Sequence, residues 1–237
     1  MTREAIVVGL GLIGGSIAKA LRADGWAVRY DDPHAETSDF ARAEDWNADV
    51  IVLATPVDAA VAWLRDHDAQ RVTSVCSVMR PLRDAARGHF IAGHPLAGSE
   101  QRGYAASRGD LFRGKRWFVD ADDEVMDAMI AACGAIRERV AADEHDAALA
   151  LTSHIPQVLS TALAAYLAEQ NVDLKFAGTG LATFLRLADS DASVWTPVLD
   201  ANRDNIAPHI DAITRIARQL DENAFHAAQK LAQQLKS

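Results

Sequence analysis

The sequence predicts an α/β fold with a mostly parallel, doubly wound sheet, followed by an all-helical C-terminal domain. Three observations support this prediction. Patterns of buried strands alternate with helical patterns up to about residue 142. A glycine-rich turn joins the first strand to the first helix, and from residue 143 onwards no segment has the pattern of a strand. We therefore expect two domains, 1–142 and 143–237.

The glycine-rich turn predicts a Rossmann-type dinucleotide site. Four apolar residues, typical of a strand buried on both faces, precede Gly9-Leu10-Gly11-Leu12-Ile13-Gly14, a G-x-G-x-x-G motif. Gly9 permits the tight turn, Gly11 lets a pyrophosphate approach the backbone, and Gly14 lets the helix pack closely on the strand. The N–H groups of Leu12 and Ile13 then lie at a helix N-terminus, where phosphate is favoured.

Two further turns belong to the same predicted site. A second strand, 27–30, ends at Asp31, whose carboxylate can accept hydrogen bonds from the adenosine ribose and would repel the extra phosphate of NADP. Asp32 is the competing candidate. A third buried strand, 49–54, ends at Thr55-Pro56, at the edge of the sheet where a dinucleotide lies. We expect NAD as the cofactor, with NADP possible.

The remaining elements follow from periodicity. The segment 33–47 is too short and polar for a full crossover helix, so we expect a trimmed connection. Further strands are predicted at 72–77, 90–93 and 116–119. A helix capped by Asp122 is predicted to run through Ile136, and a long helix over 147–170 to kink at Pro156. The last two helices are predicted over 192–218, interrupted at Pro208, and over 222–235.

Composition limits the classes of function. The 237 residues carry a net charge of −9, which argues against a general nucleic-acid or anionic-membrane binder. We find no apolar run approaching the roughly 20 residues that span a bilayer. The chain enters its first strand at once, which leaves no room for a signal peptide, and its two cysteines imply no disulfide framework. We therefore expect a cytoplasmic protein.

One histidine has a position suited to catalysis. His94 is predicted at the end of a strand, and Ser77 at the end of the preceding one, so we expect the two to converge. A histidine there can take the proton from a substrate hydroxyl while hydride leaves the same carbon. The alternative is a half-buried histidine satisfied by the backbone. The histidines and carboxylates form no pattern typical of a metal site, and we expect no metal.

Seven motifs together resemble one enzyme family. In chain order they are GLGLIGGS (9–16), LATPV (53–57), HPLAGSE (94–100), FRGKRW (112–117), His145-Asp146, SHIPQ (153–157) and RLADSDASVW (186–195). They cover nearly the whole chain, which resembles the prephenate/arogenate dehydrogenases of tyrosine biosynthesis. The resemblance implies oxidation of a cyclohexadienol with NAD(P) and loss of carbon dioxide, as well as a homodimer formed through the helical domain.

The resemblance also implies roles for individual residues. His94 would accept the proton of the ring hydroxyl, and Ser77 would support both that hydroxyl and the histidine. Arg186 would bind a substrate carboxylate, a role suited to a guanidinium. Trp195 would lie near the substrate and can come from the partner subunit. We expect His94 and Arg186 to face each other across a crevice whose floor is the nicotinamide.

The resemblance further implies that His154 and Gln157 of the SHIPQ motif lie with the substrate. Because Gln157 stands where prephenate-using members often have histidine, the choice between prephenate and arogenate stays open. A β-hydroxyacid-type dehydrogenase is a second hypothesis, against which the absence of lysine from 147–166 counts. A non-catalytic, NAD-binding dimeric sensor is a third.

Overall fold

The computed structural model describes residues 2–35, 37, 39–68, 71–98 and 101–235. Ser99 and Glu100, the last two residues of HPLAGSE, lie outside the described residues. By contacts the chain divides into two compact units. The first comprises Met1–Leu149 and Ser190–Ala201, and the second comprises Ala150–Asp189 and Asn202–Ser237.

The first unit is built on a six-stranded, wholly parallel sheet. Its strands are β1 (Glu4–Val8), β2 (Ala27–Asp31), β3 (Ala41–Arg42), β4 (Val50–Leu53), β5 (Val72–Ser74) and β6 (Phe90–Ile91). They lie in the order β3-β2-β1-β4-β5-β6, so the direction of winding reverses between β1 and β4. A switch of this kind places a ligand beyond the carboxyl ends of the two strands.

Helices cover both faces of this sheet, which confirms the doubly wound fold. They are α1 (Leu12–Ala23), α2 (Val57–Asp66) and α3 (Arg80–Ala85). Successive residues of β1 point to opposite faces, so Ala5 and Val7 pack with α1, and Ile6 and Val8 pack with α2 and α3. The predicted trimmed crossover after β2 is confirmed, since its described residues hold only β3. The short helix α3 is an element that the sequence pattern did not indicate.

A second, three-stranded sheet corrects the prediction for 90–93. Its strands are β7 (Gly93–Pro95), β8 (Arg116–Val119) and β9 (Ile136–Arg139), with β7 antiparallel to β8 and β9 parallel to it. Predicting one strand over 90–93 was wrong, because the chain leaves the parallel sheet after Ile91 and pairs Gly93 with Val119. His94 therefore lies on the short strand β7, separate from β6 and paired with β8.

The helix between β8 and β9 corrects a second prediction. Helix α4 (Glu124–Ala132) is capped by Asp123 rather than Asp122, since the Asp123 carboxylate accepts from the N–H groups of Val125 and Met126. It ends before Gly134, whose φ of +67° stops the helix. Ile136, predicted on this helix, lies in β9 instead.

Only helices follow Arg139 in the described part of the chain. They are α5 (Ala142–Leu149), α6 (Ile155–Glu169), α7 (Thr179–Phe184), α8 (Ala192–Ala201), α9 (Arg203–Ala217) and α10 (Glu222–Gln234). A π-helical stretch, Ala150–His154, precedes α6 and accommodates Pro156, which cannot donate to the helical ladder. The predicted break at Pro208 was wrong, because Pro208 lies inside α9 and the break falls at Asn202.

By length and composition alone, the helical stretch Ala142–Glu169 could cross a membrane, which the sequence pattern did not indicate. Several of its buried side chains are polar, however. His145 and Asp146 bond to each other, and His154 bonds to Asn202. Buried polar side chains that hydrogen-bond within the protein are typical of a core helix.

Candidate active site

The glycine turn between β1 and α1 has the geometry of a phosphate cradle. Gly9 has a φ of +90°, and a Cβ added to it would lie 2.6 Å from the Ala54 carbonyl oxygen. A Cβ on Gly14 would lie 1.9 Å from the Gly9 carbonyl oxygen, so the helix packs here without any side chain. At Gly11 a Cβ would meet no atom within 4 Å among the described residues, which leaves room for a ligand.

The N-terminus of α1 is open toward this turn. Gly11 provides no side-chain cap, and the first turn contains no acidic residue. The N–H groups at Leu12, Ile13 and Gly14 lie in the first helical turn, where such groups lack intrahelical partners and the helix dipole favours an anion. The residues present therefore fit the pyrophosphate of a dinucleotide.

Two adjacent carboxylates lie at the end of β2, and their contacts differ. Asp32 Oδ2 accepts from the N–H of Leu10 at 2.7 Å, and its Oδ1 accepts from the N–H groups of His34 and Ala35. Asp32 thus ties the glycine turn to the loop after β2. Asp31 ends β2, and its carboxylate has no partner within the described ranges. The role of Asp31 toward a ribose stays a prediction.

Thr55 and Pro56 lie beside the glycine turn at the end of β4. A Cβ on Gly9 would lie 2.9 Å from Thr55 Cγ2, which places the threonine against the turn. The Thr55 hydroxyl is buried and has no hydrogen-bond partner in the described structure. Pro56 precedes α2 as its N-terminal cap residue.

His94 lies in a chain of three ionisable side chains. Its Nδ1 is 2.9 Å from Nε2 of His145, and the two rings meet edge to face at 85°. Nδ1 of His145 is 2.8 Å from Oδ1 of Asp146. The side chains of His145 and Asp146 are 1% and 0% exposed, whereas His94 is only half-buried. His94 is therefore the member of this chain that can meet a substrate.

Asp146 also anchors the loop that contains Ser77. The N–H groups of Met79 and Arg80 donate to its two carboxylate oxygens at 2.8 and 2.9 Å. Ser77 lies two residues before Met79, after the end of β5, and is half-buried. Its hydroxyl has no partner among the residues described. One buried carboxylate thus holds both the His94–His145 pair and the Ser77 loop.

In the second unit, Arg186 and the SHIPQ residues are close together. Arg186 is exposed in the 3₁₀ turn Leu185–Asp189 and forms no ion pair within the described chain. The Gln157 side-chain amide is buried and donates to the Leu187 carbonyl at 2.8 Å and to Thr161 Oγ1 at 3.0 Å. It therefore holds the turn that carries Arg186. His154 is fully buried and lies 3.0 Å from the Asn202 amide.

Comparison with known proteins gives matches over both parts of the chain. Residues 17–133 match the model described as the prephenate dehydrogenase nucleotide-binding domain, and residues 141–236 match the prephenate dehydrogenase dimerization domain. A probable prephenate dehydrogenase, NovF of Streptomyces niveus, is 30% identical over 92% of this chain and 67% of its own length. The chain belongs to the prephenate dehydrogenase family.

Another relative agrees with this family, and solved structures share the fold. The prephenate dehydrogenase of Bacillus subtilis is 26% identical over 97% of this chain and 71% of its own. The structure of A. aeolicus prephenate dehydrogenase with hydroxyphenyl propionate and NAD+ has a TM-score of 0.84 at 23% identity, covering 100% of this chain and 98% of that one. Synechocystis arogenate dehydrogenase has a TM-score of 0.74 at 24% identity, covering 98% and 99%.

In this member of the prephenate dehydrogenase family, sequence reasoning missed the importance of two residues. His145 and Asp146 stood in a motif but received no role. Both are buried polar residues of α5, and because the fold determines that burial, no local signal in the sequence could have found them. The roles predicted for Ser77, Arg186, His154 and Gln157 stay predictions. So does the expected juxtaposition of His94, in the first unit, and Arg186, in the second.

Trp195 lies in α8, within the first unit. It packs against the apolar cluster formed by β1, β4, α2 and α3 and is partly buried there. Helix α8 contributes Val198 to the same cluster. A role for Trp195 near the substrate of this or a neighbouring subunit also stays a prediction.

Proposed function

We propose that this protein catalyses the NAD-dependent oxidative decarboxylation of prephenate or arogenate, giving 4-hydroxyphenylpyruvate or tyrosine, in tyrosine biosynthesis. The observation that supports this most directly is the His94–His145–Asp146 chain in a protein of the prephenate dehydrogenase family. It presents one half-buried imidazole whose partner ring and carboxylate are wholly buried. Such an arrangement suits a general base acting on a substrate hydroxyl.

The cofactor site is assigned to the first unit. Gly9, Gly11 and Gly14 would form the turn around the pyrophosphate, with the N–H groups of Leu12 and Ile13 donating to it. Asp31 would accept the ribose hydroxyls, which favours NAD over NADP, and Thr55-Pro56 would line the same edge of the sheet. When bound, NAD supplies the hydride acceptor for the reaction.

The remaining roles concern the substrate. His94 takes the proton of the ring hydroxyl as hydride leaves the same carbon, and loss of the ring carboxylate makes the product aromatic. Ser77, whose loop is fixed by Asp146, donates to that hydroxyl oxygen. Arg186 binds a substrate carboxylate, because its guanidinium is exposed and already held on a fixed turn. Because aromatisation is irreversible, the site mainly needs orientation and a base active near neutral pH.

Prephenate and arogenate differ in the side chain, a keto acid in one and an amino acid in the other. His154 and Gln157 are the proposed specificity residues, with Gln157 acting at least in part through the Arg186 turn. A neutral amide does not by itself favour either substrate. Parallel kinetics with both compounds decide the preference.

We also propose that residues 143–237 form a homodimer through the helical domain, in the cytoplasm. The dimerization-domain match over 141–236 supports this proposal. So do exposed apolar side chains in the helical part, among them Leu174 and Phe176 at 73% and 79% exposure. The domain boundary near residue 142 remains part of the same proposal.

The test is to mix the protein with NAD and prephenate or arogenate and to follow NADH absorbance. We expect turnover with at least one substrate. Replacing His94 with Asn should lower kcat by about 100-fold or more and leave NAD binding intact. An unchanged kcat would remove His94 from the mechanism. Clear NAD binding without turnover on either substrate would support the sensor hypothesis instead.

A further inference from the structure

His145 lies between the half-buried His94 and the buried Asp146, and touches both. We propose, on the basis of the function proposed above, that His145 is a positioning residue. With Asp146 it holds His94 in the one neutral tautomer whose Nε2 carries the lone pair needed to accept the substrate's proton. The inference depends on the directions of four hydrogen bonds.

Asp146 accepts every hydrogen bond described here. Its carboxylate is completely buried and receives the N–H groups of Met79 and Arg80, which can only donate. Its oxygens are therefore acceptors. Nδ1 of His145, 2.8 Å from Oδ1, must then carry a proton and donate it to the carboxylate.

The tautomer of His145 determines the tautomer of His94. A neutral histidine protonated on Nδ1 has its lone pair on Nε2. Nε2 of His145 is 2.9 Å from Nδ1 of His94, so His94 donates through Nδ1–H. The lone pair of His94 is then on Nε2, the nitrogen on the other side of the ring.

The surroundings also fix the orientation of both rings. His94 is held in β7 by pairing with Phe118 of β8, and the Phe118 ring packs against His145 at 5.6 Å. The His145 side chain is 1% exposed, so little space is left for it to turn over. A base with a fixed tautomer and a fixed ring direction loses little time in unproductive states.

The same bonds suit the state after proton transfer. The proton leaves the substrate oxygen and joins Nε2 of His94, and the ring becomes imidazolium. Nδ1–H continues to donate to the neutral His145, and His145 continues to donate to Asp146. No hydrogen bond in the chain has to reverse, and the Asp146 carboxylate faces the new positive charge through His145.

Two substitutions of His145 separate positioning from a purely structural role. In His145→Asn the amide nitrogen can replace Nδ1 and keep the bond to Asp146, but nothing remains to accept from His94. In His145→Gln the longer side chain brings an amide oxygen to the place of Nε2, where it can accept from Nδ1–H of His94. We expect His145→Asn to lower kcat about 10- to 100-fold with KM nearly unchanged, and His145→Gln to recover part of that loss.

A structural role predicts the reverse order, because the Asn variant preserves the anchor to Asp146. Equal or higher kcat in His145→Asn than in His145→Gln would therefore overturn the inference. His89→Asn is the matched control, since His89 is half exposed at the amino end of β6, in the other sheet, where it lies near Asp123. It should leave both kcat and KM unchanged.

Nuclear magnetic resonance of 15N-histidine-labelled protein tests the tautomer without any turnover. We expect neutral His94 to be protonated on Nδ1 in the wild type and to become a mixture in His145→Asn; His94→Asn assigns the signal. A wild-type signal protonated on Nε2 would overturn the inference. Failure of the wild type to oxidise either substrate would refute the proposed function, and the spectrum would still decide the tautomer.

Discussion

At the scale of single residues, the two carboxylates at the end of β2 illustrate how neighbours take different tasks. Asp32 accepts three backbone N–H groups and ties the glycine turn to the following loop. Asp31 makes no such bond within the described chain. A carboxylate already occupied by the backbone has little capacity left for a ribose, whereas an unoccupied one can accept both hydroxyls.

Alanine should therefore affect NAD binding at position 31 and stability at position 32. We expect Asp31→Ala to weaken NAD binding at least about tenfold, since hydrogen bonds to a charged group contribute about 1.5–3 kcal/mol, and to leave the free energy of unfolding nearly unchanged. Asp32→Ala should lower the free energy of unfolding by about 1–3 kcal/mol. Calorimetric titration with NAD and urea unfolding measure the two effects. A stability loss confined to Asp31→Ala would reverse the assignment.

Residue identities were predictable where the constraint is local. Gly9, Gly11 and Gly14 follow from backbone geometry within six residues, so the motif revealed them. The contact between His94 and His145 joins positions 51 residues apart, and no local pattern indicates it. For the same reason the family motif containing His145 and Asp146 could be noticed without its role being understood.

At the scale of secondary-structure elements, helix α4 depends on its first residue. The Asp123 carboxylate accepts from the N–H groups of Val125 and Met126, and Arg71 donates to it at 2.9 Å. Burial works to raise the pKa of Asp123, but the bonds from Met126, Arg71 and Val125 outweigh it, and the net pKa is lowered. The ionised cap is therefore favoured in the folded protein.

Removing this cap should destabilise the first unit. We expect Asp123→Ala to lower the free energy of unfolding by about 1–2 kcal/mol at pH 7. Because the folded pKa lies below the ordinary value of about 4, the stabilisation is present above that value and is lost as the pH falls through the folded pKa. The difference between wild type and variant should thus shrink in acid, as urea unfolding from pH 7 to pH 3 can measure.

Asp122→Ala is the matched control for the cap. Asp122 was the predicted cap, but it is exposed and pairs with Arg137 and Arg139 instead. Exposed ion pairs contribute little, so its loss should change stability by less than about 1 kcal/mol. An equal or larger effect for Asp122→Ala would contradict the cap assignment.

The element boundaries predicted from the sequence were wrong where a turn interrupts an apolar pattern. Residues 90–93 have the pattern of one strand, but Asp120 Oδ1 accepts from the Ala92 N–H at the point where the chain changes sheets. Ile136 continues the apolar spacing of α4, although Gly134 has already ended the helix. In both places a tertiary contact or a single backbone angle overrides the periodicity.

At the scale of the whole molecule, the alternation of strands and helices was enough to predict the fold class. The strand order β3-β2-β1-β4-β5-β6 agrees with the expected doubly wound sheet. The packing of the helical part could not be predicted in the same way. In a single chain, much of the apolar surface of these helices is left exposed. Helix α10 has no buried residue at all, yet Phe225, Leu231 and Leu235 are 58%, 60% and 83% exposed.

These three apolar side chains share a face of α10 with alanines, and the polar residues lie mostly on the other face. An amphipathic helix that leaves such a face open within its own chain is typical of an interface, and the dimerization-domain match over 141–236 supports a second copy as its partner. A buried glutamate in that interface would be unpaired. We therefore expect Leu231→Glu to raise the Kd for dimer dissociation at least about tenfold.

Gln229→Glu adds the same charge about half a turn away, on the polar face of α10, and should leave the dimer intact. Sedimentation equilibrium of wild type and both variants measures the effect, with circular dichroism to show that each variant remains folded. A monomeric wild type would refute the proposed homodimer. Equal dissociation by both variants would show that net charge, rather than this apolar face, determines assembly.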